Sequence, residues 1–270
     1  VVVISALLLW LYHTIFSRLV LQWLHDPNFS HGFFVPIFSL FVLWERRSKI
    51  ASLPQQPAWS GLLVLTFGLC VLATGVLGAE LFLSRTSFLL VITGLAALFL
   101  GWGHVRAALF PLLFLLLMIP IPSIVFNSIT SPLQTLASIF AAHMLPLLGV
   151  PVLREGNILR LPAMALEVAQ ACSGIRSLMS LLTLAIIYGY LMEPRTWIRV
   201  TLAVASIPVA VLANSLRIVG TGLIVQYWDP AKAEGFFHLF SGWLVFVVSL
   251  GMLYLLHKFL RALGDHQWQM

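Results

Sequence analysis

A thiol, a guanidinium and an imidazole occupy three motifs of this chain, each set in or beside an apolar stretch. Cys172 lies in Ala171-Cys172-Ser173-Gly174-Ile175-Arg176-Ser177, where a polar lead-in meets a long apolar run. Arg217 interrupts another apolar run, in Asn214-Ser215-Leu216-Arg217-Ile218. His238 opens the last one, in Gly235-Phe236-Phe237-His238. Cysteine with histidine is the pairing of thiol acyl transfer, in which a thiolate attacks and an imidazole moves protons near neutral pH. A fixed arginine can stabilise the oxyanion that forms. If the run after Cys172 is a helix, the thiol sits at its N-terminus. Unpaired N–H groups and the helix dipole then favour the thiolate. Arg176, one turn deeper on the same face, adds positive charge near the sulfur, and Ser173 stands beside the thiol. Asn214 and Thr221 share the helical face of Arg217. An arginine inside an apolar helix is costly and marks a polar interior or a functional site.

The elements that must hold these groups are membrane helices. The chain has 270 residues, 60% hydrophobic and 9% charged, with a mean hydropathy of +1.01. A soluble domain carries roughly 25% charged residues, so this chain cannot cover itself with a polar surface. A bilayer core needs about 20 apolar residues per helix. Runs of that kind lie near 1–24, 31–47, 60–79, 86–103, 106–121, 172–192, 196–226 and 237–262. The first is longer than a signal-peptide core and is read as a retained helix. The expected fold is an all-α polytopic membrane protein of about eight transmembrane helices, forming one integral domain over 1–270. It adds an outer-face amphipathic helix and a short hairpin-like lip within 122–171.

That segment breaks the pattern. Ile119-Pro120-Ile121-Pro122 should end a helix. In 123–148, Asn127, Ser131, Gln134 and Ser138 fall on one helical face, which suits a helix lying in the interface or lining a polar cavity. The Glu155-Gly156-Asn157 turn between apolar flanks predicts a hairpin. Met164, Leu166 and Val168 alternate with Ala165, Glu167 and Ala169, as in a half-buried strand leading to Cys172.

Orientation follows from basic residues in loops. If 123–148 does not cross, one side holds Arg46, Arg47, Lys49, Arg106, Arg195, Arg199, Lys258 and Arg261. The other holds Arg85, Arg154, Arg160 and Lys232. The more basic side is cytoplasmic, so both termini are inside. Cys172, Arg217 and His238 then face outward together, which in a Gram-negative cell means the periplasm.

Other readings are weaker. The net charge of +6 is the mark of membrane orientation rather than of nucleic-acid binding. Cys70, mid-run, reads as a small buried hydrophobe. No CxxC, HExxH, Cys/His cluster or Gly-rich phosphate loop points to a metal or another cofactor. His31, in Asp26-Pro27-Asn28-Phe29-Ser30-His31-Gly32, could line the site, though helix capping explains that loop equally well. His257 has no evident partner.

The three core motifs, with Asn28-Phe29-Ser30-His31-Gly32-Phe33-Phe34-Val35-Pro36, resemble the exosortase/archaeosortase family of membrane transpeptidases over nearly the whole chain. The resemblance implies Cys172 as nucleophile, Arg217 as catalytic arginine and His238 as the third member. Arg176, Ser173, Asn214 and His31 are supporting candidates. It implies no cofactor, a bacterial inner-membrane location and a link to exopolysaccharide production. The implied partners are exported proteins with a C-terminal Pro-Glu-Pro motif, a transmembrane helix and a basic tail, along with membrane lipids. Two other classes fit parts of the pattern. One is a transporter or flippase with Arg217 and His238 lining an anionic path. The other is a membrane glycosyl- or acyltransferase using His238 as base.

Overall fold

The computed structural model describes the backbone over residues 2–168, 175–228 and 236–267, and the side chains there except at 175, 236–241 and 265–267. Backbone contacts divide the chain into two compact units, Val1–Ser123 and Ile124–Met270.

The first unit begins with α1 (Val2–His25), a 3-10 turn (Pro27–Phe33), α2 (Phe34–Glu45) and the short α3 (Arg47–Ala51). Next come α4 (Ser60–Leu77) and α5 (Leu81–Phe99), which form a tight antiparallel pair. Glycines let their backbones approach: a β-carbon at Gly75 would lie 2.6 Å from Ser84 N, and one at Gly94 would lie 2.5 Å from Leu65 N. Small residues at such a seam are how membrane helices pack without a hydrophobic drive between them. The predicted run at 106–121 is not one helix. It is split into α6 (Trp102–Ala107), α7 (Leu109–Phe114) and a 3-10 turn (Leu115–Met118). Pro111 has no N–H to give the Ala107 carbonyl, so the helical ladder fails at that point.

The second unit holds α8 (Ser123–Leu147), three short strands, α9 (Ile175–Met192), α10 (Thr196–Tyr227) and α11 (Phe236–Gln267). The strands β1 (Leu153–Glu155), β2 (Ile158–Arg160) and β3 (Ala165–Glu167) make one antiparallel sheet in that order. Gly156 takes φ 64° in the β1–β2 turn, a backbone state that a side chain resists. The predicted alternation holds: Val168 is buried and Leu166 half-buried, while Ala165 and Glu167 are exposed. Two apolar cores hold this unit together. One joins α8, the sheet and the second half of α10 through Leu145, Leu159, Leu161, Val168, Ile218 and Val219. The other joins α9, α10 and α11 through Leu181, Ile198, Leu202 and Leu253.

Among the described residues, seven helical segments are long and apolar enough to cross a bilayer, including Ser123–Leu147. Large side chains such as Trp10 (74% exposed) and Leu77 (87%) lie on outer helix faces, which only a lipid solvent tolerates in such number. The chain is a multi-pass, all-α membrane protein with a small sheet. Cys70, expected to be buried, is exposed. An apolar residue in a membrane helix need not be covered by protein, because hydrocarbon covers it.

Candidate active site

The chain folds back twice in the second unit, so α9, α10 and α11 alternate in direction. The start of α9, the late part of α10 and the start of α11 therefore lie toward one end of the trio. Arg217 stands 21 residues beyond Thr196, about 32 Å along α10 at 1.5 Å per residue. Its side chain is half-buried. Its Nη2 lies 4.0 Å from where a β-carbon at Gly242 would stand. Gly242 is one turn beyond position 238 on the same face of α11. The missing side chain at 242 thus leaves room for the guanidinium against the helix face that carries His238. Asn214, one turn before Arg217, is 2% exposed. The Thr221 hydroxyl donates to the Arg217 carbonyl at 3.0 Å.

The sheet packs on this same half of α10. Val168, four residues before Cys172, is 2% exposed. It shares a core with Ile218 and Val219, next to Arg217 in sequence. Its N–H donates to the Asn157 carbonyl at 2.9 Å, so the strand leading to Cys172 is fixed to the hairpin. The hairpin in turn is fixed to α8. Asn157 Nδ2 donates to Gln134 Oε1 at 3.1 Å, and the Thr135 hydroxyl donates to Asn157 Oδ1 at 3.2 Å. Ser138 reaches the Gly156 carbonyl at 3.4 Å. Part of the polar stripe on α8 therefore docks a turn. Asn127 and Ser131, in the first half of the helix, are exposed.

The predicted residues are distributed as follows. Cys172 and Ser173 lie outside the described residues. His238 lies in α11, with its side chain outside the description. Arg176 is in the first turn of α9 and exposed. Asn214 and Arg217 share a face of α10. His31 belongs to the first unit, where it is 5% exposed and its Nε2 lies 3.2 Å from the Leu117 carbonyl. The indole N–H of Trp23 donates to the neighbouring Met118 carbonyl at 3.0 Å, and the Trp23 ring occupies the space a side chain at Gly32 would need. Capping of this loop comes from Asp26, whose carboxylate accepts from Asn28 N–H at 2.9 Å. His31 is thus a packed residue of its own unit. Among the described residues, no group of three or more His, Cys, Asp or Glu side chains is placed to hold a metal.

A family model described as Transmembrane exosortase (Exosortase_EpsH) matches residues 23–255. The chain belongs to the transmembrane exosortase family. The match includes the lengths carrying Cys172, Arg217 and His238. No curated protein and no solved structure matches the chain.

This exosortase also has a polar cluster that its sequence did not announce, at the opposite end of the same trio. Glu193, at the α9–α10 turn, is 1% exposed. Its Oε2 lies 3.1 Å from His257 Nε2, and His257 Nδ1 lies 2.7 Å from the Tyr188 hydroxyl. With Nε2–H donating to the carboxylate and the phenol donating to Nδ1, the three groups form one chain of hydrogen bonds. Oε1 accepts from Arg195 N–H at 3.0 Å. Arg195 and Arg261 each bring a guanidinium to 3.9 Å, and Arg199 donates to the Glu193 carbonyl. Burial pushes the Glu193 pKa up. The donors from Arg195 N–H and His257 and the two arginine charges outweigh it and hold the carboxyl below its usual range. Its partners in α11 are more than 60 residues away in sequence, so no local pattern marks them. The one local sign is His257 and Arg261, spaced one turn apart.

Proposed function

We propose that this exosortase is a membrane-embedded cysteine transpeptidase that cleaves a C-terminal Pro-Glu-Pro sorting signal of exported proteins at the periplasmic face of the inner membrane. The observation that carries the reading is the placement of the Arg217 guanidinium against Gly242, one turn from position 238. Val168 supports it further. It is packed beside Ile218 and Val219, and four residues of extended chain reach at most about 14 Å. That tether supports a meeting of Cys172 with Arg217.

In the proposed reaction the Cys172 thiolate attacks the carbonyl carbon at the sorting motif. Arg217 stabilises the tetrahedral oxyanion or orients the motif's carboxylate. The C–N bond breaks as His238 gives a proton to the leaving amine. The acyl group remains on sulfur as a thioester until an acceptor nucleophile displaces the thiolate. Water as acceptor makes the same site a protease. A substrate held by its own transmembrane helix diffuses in two dimensions, and its motif is presented at the depth proposed for Cys172. Ser173, Arg176 and Asn214 would support the site by position. The packing of His31 against Leu117 suits a scaffold role better than contact with substrate.

The test is cleavage of a membrane-anchored protein ending in Pro-Glu-Pro, a transmembrane helix and a basic tail. Cys172→Ala and Cys172→Ser are expected to abolish cleavage, and the wild type to accumulate a hydroxylamine-sensitive acyl-enzyme. Full cleavage by Cys172→Ala overturns the reading, and no cleavage by the wild type leaves an anion path through Arg217 and His238 as the better account.

A further inference from the structure

The first unit holds a groove that the reaction does not use. It lies between α1, α4 and the start of α5, has a volume of about 470 Å³, and is lined by Leu11, Thr14, Arg18, Leu72, Ala79 and Ser84 among others. That size is in the range of small-molecule sites, roughly 300–1,000 Å³. Arg18 is the charged side chain in it. It is exposed, and among the described residues nothing makes a hydrogen bond or ion pair with it. The nearby arginine in α5 is different: Arg85 is 3% exposed and donates to Gln22 Oε1 at 2.8 Å. The Glu80 carboxylate is engaged as well, accepting from Leu83 N–H at 2.8 Å. The Thr14 and Ser84 hydroxyls bond within their own helices, to His13 Nε2 and the Glu80 carbonyl.

Depth decides what the groove can take. Arg18 shares it with Ala79 and Leu81, which form the turn between α4 and α5. Those two helices are 18 and 19 residues long, about the thickness of a bilayer core. Their turn therefore marks the boundary between hydrocarbon and headgroups, and Arg18 is at headgroup level. Leu11 is seven residues back along α1, about 10 Å deeper, and with Ile15 and Leu72 it forms an apolar wall descending from Arg18. The groove joins one cation at the phosphate level to an apolar channel beneath it.

We infer that this groove binds one anionic phospholipid, with its phosphate on the Arg18 guanidinium and an acyl chain along Leu11, Ile15 and Leu72. Arginine matches a phosphate through paired N–H donors. The site does not depend on which reaction runs at Arg217.

Native mass spectrometry of the full chain in detergent tests this. The probes are phosphatidylglycerol, phosphatidylcholine with the same acyl chains, and inorganic phosphate, applied to the wild type, Arg18→Gln, Arg18→Lys and Leu11→Trp. The wild type should retain phosphatidylglycerol over phosphatidylcholine by about fivefold, the contribution of one basic residue at a charged lipid surface. Arg18→Gln should lose that preference and Arg18→Lys keep most of it. Leu11→Trp, which fills the apolar channel, should weaken both lipids. Inorganic phosphate should not displace the lipid. An unchanged preference in Arg18→Gln, equal retention of the two lipids by the wild type, or displacement by phosphate alone each overturns the proposal. Because Arg18 and Leu11 are exposed, all three variants should fold, and an unchanged melting temperature verifies it.

Discussion

The same three helices carry polar groups at both ends, and the two ends are built on different plans. At the Glu193 end a carboxylate is sealed from solvent and tied to the Arg195 backbone, to His257 and through it to Tyr188, with two guanidinium groups close by. At the Arg217 end the guanidinium is half-buried and packs toward a glycine. Under the proposed function the other reactive groups are Cys172, three residues before Ile175 in sequence, and His238, in the first turn of α11. A buried carboxylate with both oxygens engaged suits stability. A half-buried cation close to the first turns of α11 is placed where it can bind something that is not part of the chain. Under the proposed function, the first plan holds the trio together and the second does chemistry.

Substitutions that separate activity from stability test that division. The largest effect is expected at Arg217. Arg217→Gln should lower cleavage about 10²–10³-fold, the usual loss for one oxyanion donor, with the melting temperature nearly unchanged. A large fall in stability with cleavage retained per folded molecule would make Arg217 another structural cation and erase the contrast. Next is Gly242. Leucine there would fill the space beside Nη2 and displace the guanidinium, lowering cleavage roughly 10²-fold, as misplacement by about 1 Å can do. Gly242→Ala meets Nη2 at 4.0 Å, an ordinary contact, and should stay close to wild type.

The Glu193 end should behave in the opposite way. Glu193→Gln is expected to cost about 1.5–3 kcal/mol, the range for hydrogen bonds to a charged group, with cleavage per folded molecule within about twofold of wild type. The pH dependence has a fixed sign. A carboxyl whose pKa is lowered by folding contributes stability that is complete above its unfolded value, 4.5, and is lost as pH falls through the folded value. Melting temperature should therefore drop more steeply below about pH 4.5 in the wild type than in Glu193→Gln. Parallel curves would mean that the arginines do not hold the carboxylate as the geometry indicates.

How much of this was legible in the sequence depended on whether a signal was local. Arg217 stood out because a charge inside an apolar run is costly wherever it lies. The hairpin was readable because Gly156 and Asn157 suit a tight turn between apolar flanks. The Pro-rich stretch before Ser123 was read correctly as a helix break, whereas Pro111 was overlooked and a broken segment was read as one span. The α8 stripe shows the limit of periodicity. Spacing identifies a polar face but not its cover, which for Gln134 and Ser138 is the hairpin turn. Glu193 and His257 were missed because their meeting depends on how α9 and α11 pair, and each residue alone resembles an ordinary loop acid or helix histidine.

The smallest effect comes from the hairpin, where the two plans meet. Asn157→Ala removes the bonds to Gln134 and Thr135 and should cost about 1 kcal/mol in stability. The cost is no greater than that expected at the Glu193 end, but its consequence for activity should differ. The Asn157 carbonyl holds Val168 N–H, and Val168 follows β3 and lies four residues before Cys172 in sequence. Loosening the turn should therefore lower cleavage about two- to fivefold per folded molecule, through positioning of the nucleophile rather than loss of a catalytic group. Ser138→Ala, which removes only the longer contact to Gly156, should do less. If Asn157→Ala and Glu193→Gln lowered cleavage equally for equal loss of stability, the sheet would be one more brace. If Asn157→Ala alone lowers it, the sheet sets where the thiol stands relative to Arg217.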